Sequence, residues 1–198
     1  MRKLLCLCFL IGIFPSLKAQ NFDAGIRGGL TATQVAGDRL TGYNKAGFLI
    51  GGFVSRDFSE KISLRFEIIF IQKGSRKPVN IDDNTYYRMR LHYAEVPILL
   101  LYNATKTISI EAGPSFGSLV FSQEDNELGE IIGAPEFKKF EISANAGLLF
   151  HLSDHWLADI RYNWSLTTIR PYQGSYTYNF FEQGQYNSVV EAALMYRF

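Results

Sequence analysis

Cysteine is almost missing from this 198-residue chain: it has two, Cys6 and Cys8, both within the first twenty residues. Past that point no disulfide, thiol chemistry or cysteine-held metal centre can form. Long apolar runs are scarce as well. The one candidate, residues 4–14, is shorter than the roughly 20 residues that a membrane-crossing helix needs. Charge of one sign is lacking: 20 basic residues face 19 acidic ones, which leaves no electrostatic footprint for nucleic acid. A glycine-rich phosphate loop, a nucleotide fingerprint and a paired-carboxylate hydrolase pattern are all absent from the sequence. The glycines at 25, 28 and 29 fall inside a strand pattern, where they permit close backbone approach and do not cradle a phosphate.

The beginning of the chain reads as an export signal. Arg2 and Lys3 supply the positive start, residues 4–14 the apolar run, and Lys18-Ala19-Gln20 the cleavage end. Neither cysteine is preceded by a small residue, so both read as ordinary apolar members of the signal and not as lipoprotein attachment points. Residues 1–20 are therefore expected to be removed, leaving 21–198 as one domain. With Arg2, Lys3 and Lys18 gone, 17 basic residues face 19 acidic ones, a net charge of about −2.

What the rest of the chain does contain is alternation. Ile62, Leu64, Phe66, Ile68 and Phe70 share one parity, with Ser63, Arg65 and Glu67 on the other, the period-two signature of a strand between unlike surroundings. The pattern recurs eight times, predicting strands at 22–32, 46–56, 61–72, 86–102, 107–121, 137–151, 156–168 and 186–198. Connections after the second, fourth and sixth strands are tight (57–60, 103–106, 152–155), and those after the other strands are long and polar (33–45, 73–85, 122–136, 169–185). Such asymmetry fits an all-β, eight-stranded antiparallel up-and-down transmembrane barrel in an outer membrane, with short turns and both termini in the periplasm.

Lysine position decides which face is outward. Those past residue 20, at 45, 61, 73, 77, 106, 138 and 139, read as loop or strand-end residues, unlike a water-facing strand surface. One face is nearly all apolar, including Ile108, Ile110, Ala112, Ala158, Ile160, Tyr162, Val190, Ala192 and Leu194. A Lys or Arg there would cost about 2–4 kcal/mol near the bilayer midplane. The other face mixes small residues with charge and is assigned to the lumen. Its expected charge network is Asp23, Arg27, Arg65, Glu67, Glu95, Glu111, Glu141, Asp159, Arg161, Glu191 and Arg197. At eight strands the lumen holds only side chains, so these charges are expected to pair as a plug.

The fourth strand is irregular, because Arg88, Arg90 and His92 have one parity and Glu95, Pro97 and Leu99 the other. If all face inward, a bulge near Tyr93–Glu95 must reset the phase and aim Glu95 at the arginines. His151, Ser153, Asp154 and His155 invite a His–Ser nucleophile or metal reading, as in outer-leaflet lipid deacylases. They fall on a short turn at the wrong rim, without a partner carboxylate, so no catalytic, cofactor or metal site is assigned. Tyr196 and Phe198 close the final strand in the manner of a recognition signal for the barrel assembly machinery.

Taken in order, several segments resemble the PorT-like outer-membrane β-barrel family of Bacteroidetes. They are Gly25-Ile26-Arg27-Gly28-Gly29-Leu30, Gly47-Phe48, Glu67 with Gln72-Lys73-Gly74, Tyr93-Ala94-Glu95-Val96-Pro97-Ile98-Leu99-Leu100, Glu111-Ala112-Gly113-Pro114, Asn145-Ala146-Gly147-Leu148, Arg161-Tyr162 and Tyr196-Arg197-Phe198. Phe66 and Leu101 depart from the proline and lysine common at those places. The resemblance implies an outer-membrane barrel and, for its founding member, a link to type IX secretion. The expectation is a non-enzymatic anchor or accessory subunit of an envelope complex, set in outer-membrane lipid. Its long loops, with Tyr172, Tyr176, Tyr178, Phe180 and Phe181, are the expected contact surface. A small pore or transporter and, behind it, an outer-leaflet lipid-modifying enzyme are the alternatives.

Overall fold

A computed structural model describes residues 22–38, 40–79, 85–171 and 183–198. The signal segment and the aromatic residues at 172, 176, 178, 180 and 181 lie outside the described residues. Ten strands form: β1 Phe22–Ala36, β2 Lys45–Asp57, β3 Ile62–Lys77, β4 Tyr87–Asn103, β5 Ile108–Asn126, β6 Gly129–Glu130, β7 Phe140–His151, β8 Trp156–Ser165, β9 Arg170–Pro171 and β10 Gly184–Arg197. The two-residue strands β6 and β9 pair only onto β5 and β10, leaving eight long strands in antiparallel order. Strand β1 also pairs with β10, from Gly25 opposite Arg197 to Ala36 opposite Tyr186. That seam closes the sheet into the expected eight-stranded barrel and leaves no unpaired edge, the condition for a sheet in lipid.

Several strands run further than alternation indicates. Strand β1 reaches Ala36, β3 reaches Lys77 and β5 reaches Asn126. All three overruns lie on the long-loop rim. A ladder that continues beyond the membrane can be polar on both faces, so the periodicity ends before the hydrogen bonding does.

Side chains at odd positions are turned inward on β1 to β4, β7, β8 and the barrel part of β10. Strand β4 keeps this phase from Met89 to Leu101, so Arg88, Arg90 and His92 face outward. The expected reset belongs to its neighbour instead: His92 pairs with Phe121 and Tyr93 with Leu119, which leaves Val120 of β5 as the extra residue. Pro97 interrupts the β3–β4 rungs between Phe66–Ile98 and Ile69–Glu95 without changing their register, as a missing N–H should. Lys73 also corrects the loop assignment: it sits within β3, points inward and is fully buried.

Among the described residues the outward face carries no charged side chain between two aromatic belts. At the long-loop end Phe48, Phe70, His92 and Phe121 run across four strands with successive ring centroids 5.7, 5.5 and 4.8 Å apart. At the short-turn end Trp156, Tyr196 and Phe198 meet edge to face at 5.0 and 6.0 Å, and Arg56 lies over Phe22 and Phe58. Ile, Leu, Val and Phe fill the band between, many of them exposed, which in water would be a large aggregation surface.

Closure draws the backbones close at selected points. A Cβ on Gly29, which faces inward at the seam, would stand 2.6 Å from Ala193 Cα, whereas one on outward Gly28 would meet nothing nearer than 3.9 Å. Gly29→Val is expected to abolish most of the folded, heat-modifiable band on SDS gels, and Gly28→Val to retain it. Equal folding of the two variants would contradict this packing of the seam.

Candidate functional site

The barrel interior is built in layers, each fed by several strands. Because i and i+2 share a face of a strand, Arg65 and Glu67 on β3, and Asp159 and Arg161 on β8, project inward as pairs. Arg27 on β1, Glu111 on β5 and Glu191 on β10 meet them at the same height. Glu67 is the hub. It receives Arg27, Arg65 at 3.0 Å and Arg161 through two nitrogens at 3.0 Å. Glu111 joins Arg65 to Arg161, whose Nε lies 2.6 Å from it. Asp159 accepts from Arg161 at 2.7 Å and lies 3.1 Å from Arg27, which also reaches Glu191 at 3.1 Å. These seven side chains are at most 2 % exposed.

A second centre lies on the long-loop side. Lys73 Nζ is 3.0 Å from Glu95, 3.2 Å from Glu141 and 3.1 Å from the Asn163 carbonyl oxygen. Glu95 thus joins the lysine and not the arginines. Among the described residues these two centres hold four buried cations, Arg27, Arg65, Lys73 and Arg161, against six buried carboxylates, Glu67, Glu95, Glu111, Glu141, Asp159 and Glu191, while Lys45, Glu124 and Arg170 are buried nearer the long-loop rim. Neutral donors help to satisfy the excess. Glu141 accepts from Ser143 at 2.9 Å, from Asn187 at 3.0 Å and from Ser165. Glu95 accepts from Asn163 at 2.8 Å and from Ser115.

Apolar side chains occupy the remaining cross-section. Phe53, Leu99, Leu101, Leu149, Leu157 and Met195 pack on the short-turn side of the arginines. Leu49, Ile69, Ile71, Met89, Leu91, Tyr93 and Val189 fill the space toward the long-loop rim. Beyond the lower layer, Arg197 and Asp23 form a part-exposed rim pair at 3.2 Å, separate from the buried network with which they were grouped.

The short-turn mouth places Ser109 Oγ 2.9 Å from His151 Nε2 and 2.7 Å from Asn103 Oδ1. Burial, then the neighbouring Arg197 and Arg65, push the His151 pKa down. Ser109 is fully buried, and no carboxylate among the described residues is ion-paired with His151. The arrangement therefore lacks both access and the orienting acid of a Ser–His–carboxylate nucleophile. Ser153, meanwhile, accepts from the His155 and Trp156 amides as a turn residue.

At the long-loop mouth the described residues leave room for cavities. Two cavities of about 430 and 380 Å³ share Glu124, Ile131, Ala134 and Arg170 as lining residues. Arg170 bridges to Glu124 and lies 3.8 Å above the Phe137 ring, and Tyr87 donates to Glu124. Burial, reinforced by Glu124, raises the Tyr87 pKa; burial also raises that of Asp38, whose Oδ1 accepts the Leu40 amide at 2.8 Å. Lys45, the first residue of β2, is turned inward here. Burial, followed by Arg88 and Arg90, lowers its pKa to about 8. Sequence reading missed Lys73, Lys45, Glu124 and Arg170. Only Lys73 carried a signal, since it continues the inward parity of Glu67, Ile69 and Ile71.

Comparison with known proteins follows from this geometry. The profile described as outer membrane protein beta-barrel domain matches residues 18–170. No curated protein matches the chain at a significant level. The fold is similar to that of Neisserial surface protein A, with TM-score 0.54 and 8 % identity over 88 % of this chain and 97 % of that one. It is also similar to Ail, the attachment invasion locus protein of Yersinia pestis, in complex with the heparin analogue sucrose octasulfate. There the TM-score is 0.52, with 12 % identity over 90 % of this chain and 99 % of that one.

Removing one partner of a buried ion pair costs more than removing them all, because a lone charge is left without water. Lys73→Met is expected to cost about 3–5 kcal/mol, read from urea unfolding in lipid vesicles. The triple variant Lys73→Met, Glu95→Gln, Glu141→Gln is expected to recover most of that loss. A single variant as stable as the parent would show that Lys73 does not hold the two glutamates.

Proposed function

The chain belongs to the outer membrane protein beta-barrel domain family, and we propose that within the outer membrane it is a non-enzymatic anchor or accessory subunit of an envelope complex. The observation that carries this reading is the filled interior. The four cations and six carboxylates of the two buried centres are packed among two apolar clusters, so Arg27, Arg65, Glu67, Glu95, Glu111, Glu141, Asp159, Arg161 and Glu191 serve structure and not transport, with Asp23 and Arg197 as a pair at the short-turn rim. A wall of this kind leaves the rims to meet other molecules. Residues 1–20 act as a removed export signal, the short turns and both termini of the exported chain face the periplasm, and the long loops face outward, in keeping with bacterial barrels generally.

Tyr196 packs between Trp156 and Phe198 at the end of the chain, and this aromatic close is the signal for barrel assembly. The resemblance to PorT-like barrels makes secretion machinery the partner class. The cavities that the described residues form at the long-loop mouth, walled by Glu124, Arg170 and Tyr87, supply the contact relief for such a partner.

Reconstituted into planar bilayers, the protein is expected to give no steady conductance above leak. A large, stable conductance would replace this reading with that of a small pore. Extraction in mild detergent is expected to bring down other envelope proteins in fixed ratio, and a strictly monomeric, partner-free barrel would rule out the subunit role.

A further inference from the structure

The outer surface of β3 and β4 changes character above the upper aromatic belt. Below Phe70 and His92, outward positions are Ile62, Leu64, Phe66 and Ile68 on β3 and Ala94, Val96, Ile98 and Leu100 on β4. Above the belt come Arg90 and Arg88 on β4 and Arg76 on β3. Arg76 and Arg88 are directly opposite one another across the ladder, a placement of like charges that destabilises a sheet. Both are exposed, and neither has an ion pair or hydrogen bond among the described residues. Arg90 has a single carboxylate, Asp125 at 2.7 Å, and that carboxylate is shared with Gln123.

Height fixes what these guanidiniums meet. Two residues advance a strand by roughly 6–7 Å, and a tilt of about 40° reduces this to about 5 Å along the membrane normal. Arg90 then stands about 5 Å above the His92 ring, and Arg88 and Arg76 about 10 Å above it. This is the depth of lipid headgroups, directly over the end of the apolar band. Lys45, on the inner side of the same corner, is a further cation near enough to feel Arg88 and Arg90.

We infer that Arg76, Arg88 and Arg90 form a lipid site for the phosphate groups of an outer-leaflet phosphoglycolipid. A phosphate seated between Arg76 and Arg88 offsets their repulsion and offers the pair of oxygens that a planar guanidinium fits. Acyl chains of the same lipid would lie on Phe70, Ile68 and Phe66 below. The inference rests on the proposal that the long-loop rim faces outward.

The test uses the full barrel in phosphatidylcholine nanodiscs with lipid A as probe. Bisphosphorylated lipid A is expected to bind at least about tenfold tighter than its dephosphorylated form. The double variant Arg76→Gln, Arg88→Gln should lose that margin. Arg56→Gln, an exposed outward arginine at the other rim, should keep it. Equal binding of the two lipid forms, or an equal loss with Arg56→Gln, would overturn the site, as would inorganic phosphate at millimolar concentration displacing the lipid fully. Sidedness is read separately in intact cells, by labelling Glu127→Cys with a membrane-impermeant maleimide. Labelled Glu127→Cys with no phosphate preference overturns the lipid site alone, and an unlabelled one overturns the orientation on which it rests.

Discussion

The pairing of β1 with β10 is the contact on which the rest of the molecule depends. Within lipid a backbone N–H or C=O has no water to turn to, so a sheet survives there only when its two edges meet. Meeting after eight strands dictates the interior width, and an eight-stranded ring leaves room for side chains only. The glycines at the seam, the narrow lumen and the need to pair every inward charge all descend from that one closure.

Ionic contacts inside the barrel are therefore better regarded as a packing solution than as a source of net stability. Moving arginine and glutamate out of water is expensive, and their attraction only roughly repays the cost when the geometry is good. What the network supplies is mutual dependence. Glu67 touches three arginines from three different strands, and Arg27 ties β1 to Glu191 of β10 across the seam itself. A shift of register in any strand would move its entire inward set to the lipid face, so these pairs also hold the strands in step.

Legibility in the sequence followed the membrane. Where one face meets lipid and the other the lumen, alternation located eight strands, their faces and most members of the arginine cluster. Outside that band the rule fails. Lys73 reads as a loop or strand-end residue because Gln72, Lys73 and Gly74 show no apolar alternation, although the ladder continues past them. Arg88 and Arg90 could face inward only if a bulge reset β4; the strand keeps its phase, and they stand above the belt, where the lipid rule no longer applies. The extra residue Val120 lies in an apolar stretch that reads equally well in either phase. Long-range partners such as Arg170 and Glu124 leave no local trace, since 46 residues separate them.

The ion bridge across the seam bears on durability. To open the ring, β1 must leave β10, which takes Arg27 from Glu191 and leaves that buried carboxylate with no ion pair among the described residues. Partial opening gains little, because no half-separated arrangement rehydrates the charges while lipid still surrounds the wall. Escape then requires a single large, concerted step. The persistence of such a barrel would be governed by the height of that barrier more than by the equilibrium between folded and unfolded chain, with marked hysteresis between its folding and unfolding.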